Sequence, residues 1–296
     1  MKTPLINNFE TQIKNLKGSE FQTFVSKLFI LKYGETGYTI LREIKDKGCD
    51  GIIEIEKRVI ACYGDDNGKE SDKRKKDFKQ KATGDFEKYK NNWQKSYPNW
   101  SIVINNDIDP DYDLFVKTLS SGASVIGSIQ LLEIVEHLKH FQRKKLGENL
   151  RINNEYFSQD CLKDILEDLS SSEIDNSNIT YNRDSLTNIK TKIEINYNNQ
   201  DIENIKKDFE NLLETGSLDL VKDLISSYEN TEIAKIKNRI LTDFNKLPNG
   251  DFKQKFEYLV NFYIEKYSVE NDDDYLWLIK SLLYYLFEQC LIGKKE

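Results

Sequence analysis

The 296-residue chain has few of the residues that build metal clusters and covalent crosslinks: four cysteines and two histidines. No two cysteines have CxxC spacing, and neither histidine has a cysteine near it, so a zinc site is not expected. Sparse cysteines without a pairing pattern are typical of a reducing compartment. The composition therefore favours a cytoplasmic protein without a disulfide scaffold.

Long apolar runs are also lacking. The most apolar stretch, Tyr275 to Phe287, is interrupted by Lys280 and is too short to cross a bilayer, so a buried helix is predicted there. The N-terminus has no apolar signal region, and no membrane association is expected.

An excess of positive charge is missing as well. The chain has 43 basic and 50 acidic residues and a net charge of -7, so any nucleic-acid surface must be local. Aromatic residues make up 11% of the chain, which argues against extensive disorder. The length suits two modest domains.

The first half of the chain predicts an α/β domain over residues 1–145. A helix over Gly18–Tyr33 opens with Ser19 and Gln22 in capping-box spacing. The strands "YTILREI" and "DGIIEIEKRVIACY" follow, then a polar helical region over Lys73–Lys95, the strand "WSIVINND", a further helix, the strand "ASVIGS" and the helix "IQLLEIVEHLKHF". Helices alternating with strands in this order predict a mixed sheet flanked by helices.

The second half predicts a different architecture. Residues 146–200 are rich in Asn, Ser and Asp and are predicted to be a linker with one short strand at Lys192–Tyr197. Residues 201–296 carry five helical patterns separated by turn residues, which predict a mainly α domain rich in aromatic packing.

The segments "GSEFQTFVSKLF", "GCDGIIEIEKRVIACYG", "NWSIVINND" and "ASVIGSIQLLEIVEHL" together resemble the restriction-endonuclease-like fold, the PD-(D/E)xK superfamily, in its Mrr-like form. This resemblance implies that Glu20 and Asp50 ligate Mg²⁺ for phosphodiester hydrolysis. The chain departs from the family at the Glu/Gln-x-Lys pair, where Ala61 and Tyr63 stand instead.

Two interpretations of this departure stay open. In the first, the catalytic site is relocated: a tight turn around Lys57 and Arg58 would return Asp65 or Asp66 to the level of Asp50 as a third metal ligand. Lys73, Lys76 or Lys79 would then replace the missing lysine, with Tyr63 also in the site. In the second, the site is degenerate and no metal is bound. Asp50 is then a turn former beside Gly51, and Glu20 only complements a helix dipole.

A basic segment in this acidic chain predicts a DNA contact. Nine Lys or Arg residues between Lys73 and Lys95 oppose three acids, and aromatic residues interleave with them. The superfamily resemblance places this helix near the duplex, where cations would bind phosphates; the alternative is a solvated face. The DNA-binding candidates are Lys73, Arg74, Lys75, Lys76 and Lys79.

The ending "YLWLIKSLLYYLFEQCLIGKK" is similar to the C-terminal signature of bacterial ABC-three-component defence systems, relatives of Lamassu. The resemblance implies docking on an SMC-like ABC ATPase and a middle component through Phe287, Glu288 and Cys290, and self-association stays open. A plain helical bundle is the alternative. The sequence thus predicts an anti-phage effector subunit that binds and cleaves DNA, or an inactive nuclease-fold subunit that binds DNA or acts as a scaffold.

Overall fold

The computed structural model describes residues 3–41, 47–66, 68, 70–171, 189–267, 273–289 and 291–294. The chain forms two compact units, Met1–Asn153 and Asn154–Glu296. It is a mixed α/β protein, about 67% helical, with a five-stranded mixed sheet. The sheet lies wholly in the first unit, and the described part of the second unit is helical, as predicted for residues 201–296.

The elements of the first unit follow the predicted order, with two helices added. The strands are β1 (Tyr38–Ile40), β2 (Gly51–Ile53), β3 (Arg58–Tyr63), β4 (Asn99–Ile104) and β5 (Ala123–Ile126). The helices are α1 (Pro4–Asn15), α2 (Gly18–Tyr33), α3 (Ser71–Asn92), α4 (Pro110–Leu119), α5 (Ser128–Glu136) and α6 (His140–Glu148).

Helix α1 was not predicted, although its sequence carries a start signal and a helical stripe. The Thr3 side chain accepts a hydrogen bond from the backbone N–H of Ile6, and a proline occupies the first turn. Leu5, Phe9 and Ile13 recur every four residues, and all three are buried.

The five strands lie in the sheet in chain order, β1-β2-β3-β4-β5. The first three are antiparallel, whereas β3, β4 and β5 are parallel and are joined through α3 and α4. Strand residues alternate between the two faces. One face packs under α3 and α4 in a core that contains Val59, Ala61, Phe78, Phe86, Tyr89, Trp100, Ile102, Val116 and Val125. The other face contacts α2.

Gly51 is required by the ring of Tyr38, a fully buried side chain that lies against it from β1. A Cβ atom at position 51 would lie 2.8 Å from Cε2 of Tyr38, and closer still to Cζ and Oη. The glycine of the Asp-Gly pair therefore serves the close approach of this ring.

We expect Gly51→Ala to lower the free energy of unfolding by about 2–3 kcal/mol, because the added methyl group overpacks the strand pair. Gly84→Ala is the matched control: Gly84 lies within α3 with open space around its Cα, so alanine should stabilise by about 0.5–1 kcal/mol. Urea denaturation measures both variants, and a Gly51→Ala protein as stable as the Gly84→Ala protein would contradict this packing argument.

The described helices of the second unit begin earlier in the chain than predicted. They are α7 (Asn154–Ser171), α8 (Ile189–Asn196), α9 (Ile202–Glu214), α10 (Ser217–Ser226), α11 (Asn230–Lys246), α12 (Phe252–Tyr267) and α13 (Asp273–Glu288). Helices α7 and α8 lie inside the interval predicted as linker, of which residues 172–188 fall outside the described residues.

The predicted strand at Lys192–Tyr197 is wrong, because this segment lies mainly in α8. The alternation in "KIEINY" resembles a strand, but Ile193 and Tyr197 are four residues apart and share one helical face. Both are buried. Tertiary packing of this face overrides the local strand pattern.

A buried lysine joins α8 to the end of α13. Lys192 is fully buried, and its Nζ donates a hydrogen bond to the backbone carbonyl of Phe287. The same ammonium group lies 4.6 Å from the centre of the Phe287 ring. Lys192 thus satisfies a carbonyl group at the C-terminal end of α13.

Among the described helices, none is long and apolar enough to cross a membrane.

Candidate nucleic-acid interface and nuclease-like sheet edge

Asp50 holds the start of the β2–β3 hairpin. Its carboxylate accepts hydrogen bonds from Nε2 of Gln22 at 3.0 Å and from the backbone N–H of Cys62 at 2.5 Å. Its own backbone N–H donates to the carbonyl of Ile60 at 2.8 Å. Asp50 is buried, so each carboxylate oxygen gains a protein partner in place of water.

The strand register determines which residue lies opposite Asp50. Gly51 pairs with Ile60 and Ile53 with Arg58, so the turn spans residues 54–57. Continuing this register by one residue places Ala61 opposite Asp50. Strand β3 ends at Tyr63, before Asp65, so the register itself places Ala61, and not Asp65, opposite Asp50.

Glu20 and Gln22 leave α2 in different directions. They are two residues apart on a helix, so their side chains diverge by about 200°. Gln22 reaches Asp50, whereas Glu20 is exposed and lines a shallow depression with Thr23 and Lys27. The predicted capping box is also absent: α2 begins at Gly18 without a side-chain cap, and the amide nitrogen of Gln22 is bonded to Asp50.

Tyr63, which the resemblance aligns with a lysine, points its hydroxyl at Asp65. The phenol donates to Oδ1 of Asp65 at 3.1 Å. Burial, and then the charge of Asp65, raise the pKa of the Tyr63 hydroxyl. The side chain is therefore protonated and uncharged at neutral pH, and it supplies neither a fixed positive charge nor a base.

Asn105, at the end of β4, joins three parts of the first unit. Its side chain is fully buried, and Nδ2 donates to the backbone carbonyls of Leu16, Asp65 and Lys14 at 2.8, 3.0 and 3.2 Å. Oδ1 accepts a hydrogen bond from the backbone N–H of Asp65 at 3.0 Å. Asn105 thereby fixes the segment after β3 that carries Asp65.

The positions of Glu20, Asp50 and Asp65 show whether these residues could together bind the Mg²⁺ ion that the resemblance implies. Within the described part of the first unit, no three His, Cys, Asp or Glu side chains bring ligand atoms within 4.8 Å of one another. Glu20, Asp50 and Asp65 therefore do not form a shared carboxylate cluster, and the methyl group of Ala61 lies buried opposite Asp50. The donor set does not fit a preassembled Mg²⁺ site, so no hydrolytic step is derived from it.

Helix α3 presents a row of lysines at the surface. Lys73, Lys76 and Lys79 are exposed at intervals of three residues, and none forms an ion pair with a described residue. The ammonium group of Lys79 lies 5.6 Å from the ring centre of Phe115 on α4. We call these three lysines the α3 lysine row.

The other predicted DNA contacts on α3 are partly engaged within the protein. Lys75 pairs with Asp111 at 2.6 Å and with Asp109 at 3.2 Å, at the start of α4. Hydrogen bonds to Asp111 and then to Asp109 raise the pKa of Lys75 to about 12. Arg74 is half-buried. Lys75 therefore links α3 to α4, whereas the α3 lysine row forms no ion pair with a described residue.

Aromatic side chains hold α3 on the sheet beneath this row. Phe78 is fully buried and stacks on Tyr112 of α4, with ring centres 3.9 Å apart. The Tyr63 ring lies 6.2 Å from Phe78 on the sheet side. The helix is anchored through its apolar face, so the lysines are displayed on a rigid element.

The C-terminal signature residues lie at different depths in the second unit. Phe287 is fully buried and stacks on Phe252 with ring centres 5.0 Å apart, so it packs the helical core and presents no side-chain surface to a partner. Glu288 is partly exposed and lies 3.7 Å from Nζ of Lys222. Cys290 lies outside the described residues.

The sequence analysis did not identify the roles of Gln22 and Asn105. The amide of Gln22 binds the carboxylate of Asp50, and the amide of Asn105 binds the backbone of Asp65. The Asn-Asn pair at the end of the apolar strand "WSIVINND" was the available signal. Comparisons of the chain with known protein families, curated proteins and solved structures found no match.

Proposed function

We propose that this chain is a DNA-binding subunit whose N-terminal unit has a restriction-endonuclease-like fold without a working metal site. The observation that carries the proposal is the α3 lysine row: three exposed cations, without ion pairs to described residues, on one anchored helix of an acidic protein. Such a row binds phosphates in a sequence-independent, salt-sensitive manner.

The element order and the Asp50–Gly51 hairpin support the fold assignment. A helix, three antiparallel strands, a helix and a parallel strand follow one another as the Mrr-like resemblance implies. The non-catalytic form of the function is supported by Ala61 opposite Asp50 and by the neutral phenol of Tyr63.

The cellular setting follows from the C-terminal resemblance alone. The proposal places the chain in the cytoplasm, in an anti-phage complex with an SMC-like ABC ATPase and a middle component. The helical unit would provide the docking surface, with Phe287 maintaining its core. Co-expression of a tagged chain with both components tests this part, and their failure to co-purify would remove it.

The DNA-binding proposal is tested with the purified full chain and linear duplex DNA. We expect binding that weakens with salt, that does not require Mg²⁺ and so persists in EDTA, and that is not followed by cleavage. Fluorescence anisotropy measures binding, and gel analysis of the same samples measures cleavage. Absence of binding at low salt would refute the proposal, whereas Mg²⁺-dependent cleavage abolished by Asp50→Asn would restore the catalytic interpretation.

A further inference from the structure

A large cleft of the first unit opens on the sheet face opposite α3. It has a volume of about 850 Å³ and lies among α2, α5, the start of α6 and strands β2, β3 and β5. Val59 and Val125 belong to the core under α3, so alternation turns their neighbours Arg58 and Ser124 to the cleft face. The cleft is thus separated from the α3 lysine row by the thickness of the sheet.

Arg58 is held rigidly in this cleft. Its Nε donates to Glu56 at 2.8 Å, and its Nη1 donates to the hydroxyl groups of Ser101 and Ser124 at 2.7 and 3.1 Å. Glu56 is itself held by the hydroxyl of Tyr33 at 2.7 Å. Nη2 of Arg58 makes no hydrogen bond to any residue that the structure describes. A fixed guanidinium edge with free N–H groups is the arrangement that binds carboxylates and phosphates.

Further charges around the cleft favour a negatively charged ligand. Lys32 and Lys139 line it from α2 and from the residue before α6, and both are exposed. Glu133 is the remaining acid in the lining. Burial raises the pKa of Glu56, but the hydrogen bonds from Tyr33 and Arg58 and the charge of Arg58 outweigh it and lower the pKa overall. Glu56 therefore stays ionised and paired with Arg58.

Apart from these charged groups and a few polar side chains, among them Gln130, His137 and Gln142, the cleft has an apolar wall. Its members come from α2, the sheet, α5 and the residues just after α5: Phe29, Leu31, Ile53, Ile126, Ile134 and Leu138. Concave apolar walls with a few oriented polar groups are typical of small-molecule sites.

We propose that this cleft binds a small organic anion, with a carboxylate or phosphate head on Nη2 of Arg58 and an apolar body against the wall. The site is independent of the DNA-binding surface, because α3 contributes no residue to it. The ligand class follows from the combination of one rigid cationic donor with an apolar surface: a fully polar anion would leave the wall unused, and a neutral apolar molecule would leave Nη2 unpaired.

The test uses the full chain and two aromatic anions, 1-naphthyl phosphate and 1-naphthoate, measured by isothermal titration calorimetry. We expect saturable binding of at least one, about tenfold or more tighter than that of inorganic phosphate and of 1-naphthol. The two arms also distinguish a phosphate head from a carboxylate head. Arg58→Gln should weaken binding about tenfold or more, and Ile134→Trp should abolish it by filling the cleft without touching the Arg58 network.

Lys27→Gln, an exposed charge change outside the cleft, is the matched control and should leave binding unchanged. Circular dichroism checks that each variant is folded, and Ile134→Trp decides the matter if Arg58→Gln does not fold. Absence of saturable binding of both anions at millimolar concentration would overturn the proposal. Unchanged binding in folded Ile134→Trp protein would do the same, because the anions would then be bound elsewhere, for instance on α3.

Discussion

Replacing Lys73, Lys76 and Lys79 together with glutamine is expected to weaken binding to duplex DNA on the order of 100-fold at low salt. Each lysine of the row that contacts a phosphate releases counterions on binding, so removing three contacts lowers the slope of log affinity against log salt by up to about 2.7. The three side chains are exposed and are not ion-paired to described residues, so the fold should be unaffected. Fluorescence anisotropy over a series of salt concentrations measures affinity and slope.

The matched control removes three exposed lysines of the same unit that lie on or beside helices of the opposite sheet face: Lys27, Lys139 and Lys145. This variant changes the net charge by the same amount, so a general charge effect would weaken binding equally in both triples. We expect the control to retain nearly wild-type affinity and slope. Equal losses in the two triples would show that α3 is not the interface.

Asn105→Ala is expected to lower the free energy of unfolding of the first unit by about 3 kcal/mol. The substitution leaves the buried carbonyl and N–H of Asp65 and the partly buried carbonyl of Leu16 without their partner, and each buried loss costs about 1–3 kcal/mol. Chemical denaturation followed by circular dichroism, with hydrogen exchange of peptides from β3 and β4, measures the loss within this unit.

Asn106→Ala is the neighbouring control. Asn106 is half-buried, and its side chain makes one hydrogen bond, of 3.2 Å, to Oδ1 of Asn105. Removing this side chain should lower the free energy of unfolding by less than about 1 kcal/mol. If both alanine variants lose the same stability, the buried amide of Asn105 is not what holds the Asp65 segment.

Much of the fold was predictable from local pattern. The helix Gly18–Tyr33 has a continuous apolar stripe and a glycine stop, and the structure gives it the predicted bounds. The five predicted helices of residues 201–296 are also present. The errors arose where pattern and packing differ: "KIEINY" alternates like a strand, but burial of Ile193 and Tyr197 on one helical face determines its structure.

The candidate site was less predictable because it depends on register and direction. The sequence could single out Asp50, Ala61 and Tyr63 as candidates, but their relative positions depend on the strand register, which places Ala61 opposite Asp50. The position of Asp65 relative to Asp50 could not be predicted, because it depends on the exact length of the turn between β2 and β3. Nor could the sequence say that Gln22, and not Glu20, faces Asp50.

The Lys192–Phe287 contact has a consequence for the order of folding of the second unit. It joins positions 95 residues apart, whereas only two to five residues separate consecutive helices from α8 to α12. Helical proteins fold fast when their contacts are local, and a distant contact adds loop-closure entropy that is lost before the contact forms. We therefore expect α9 to α12 to associate early, with α8 docking against α13 as the last, slower step.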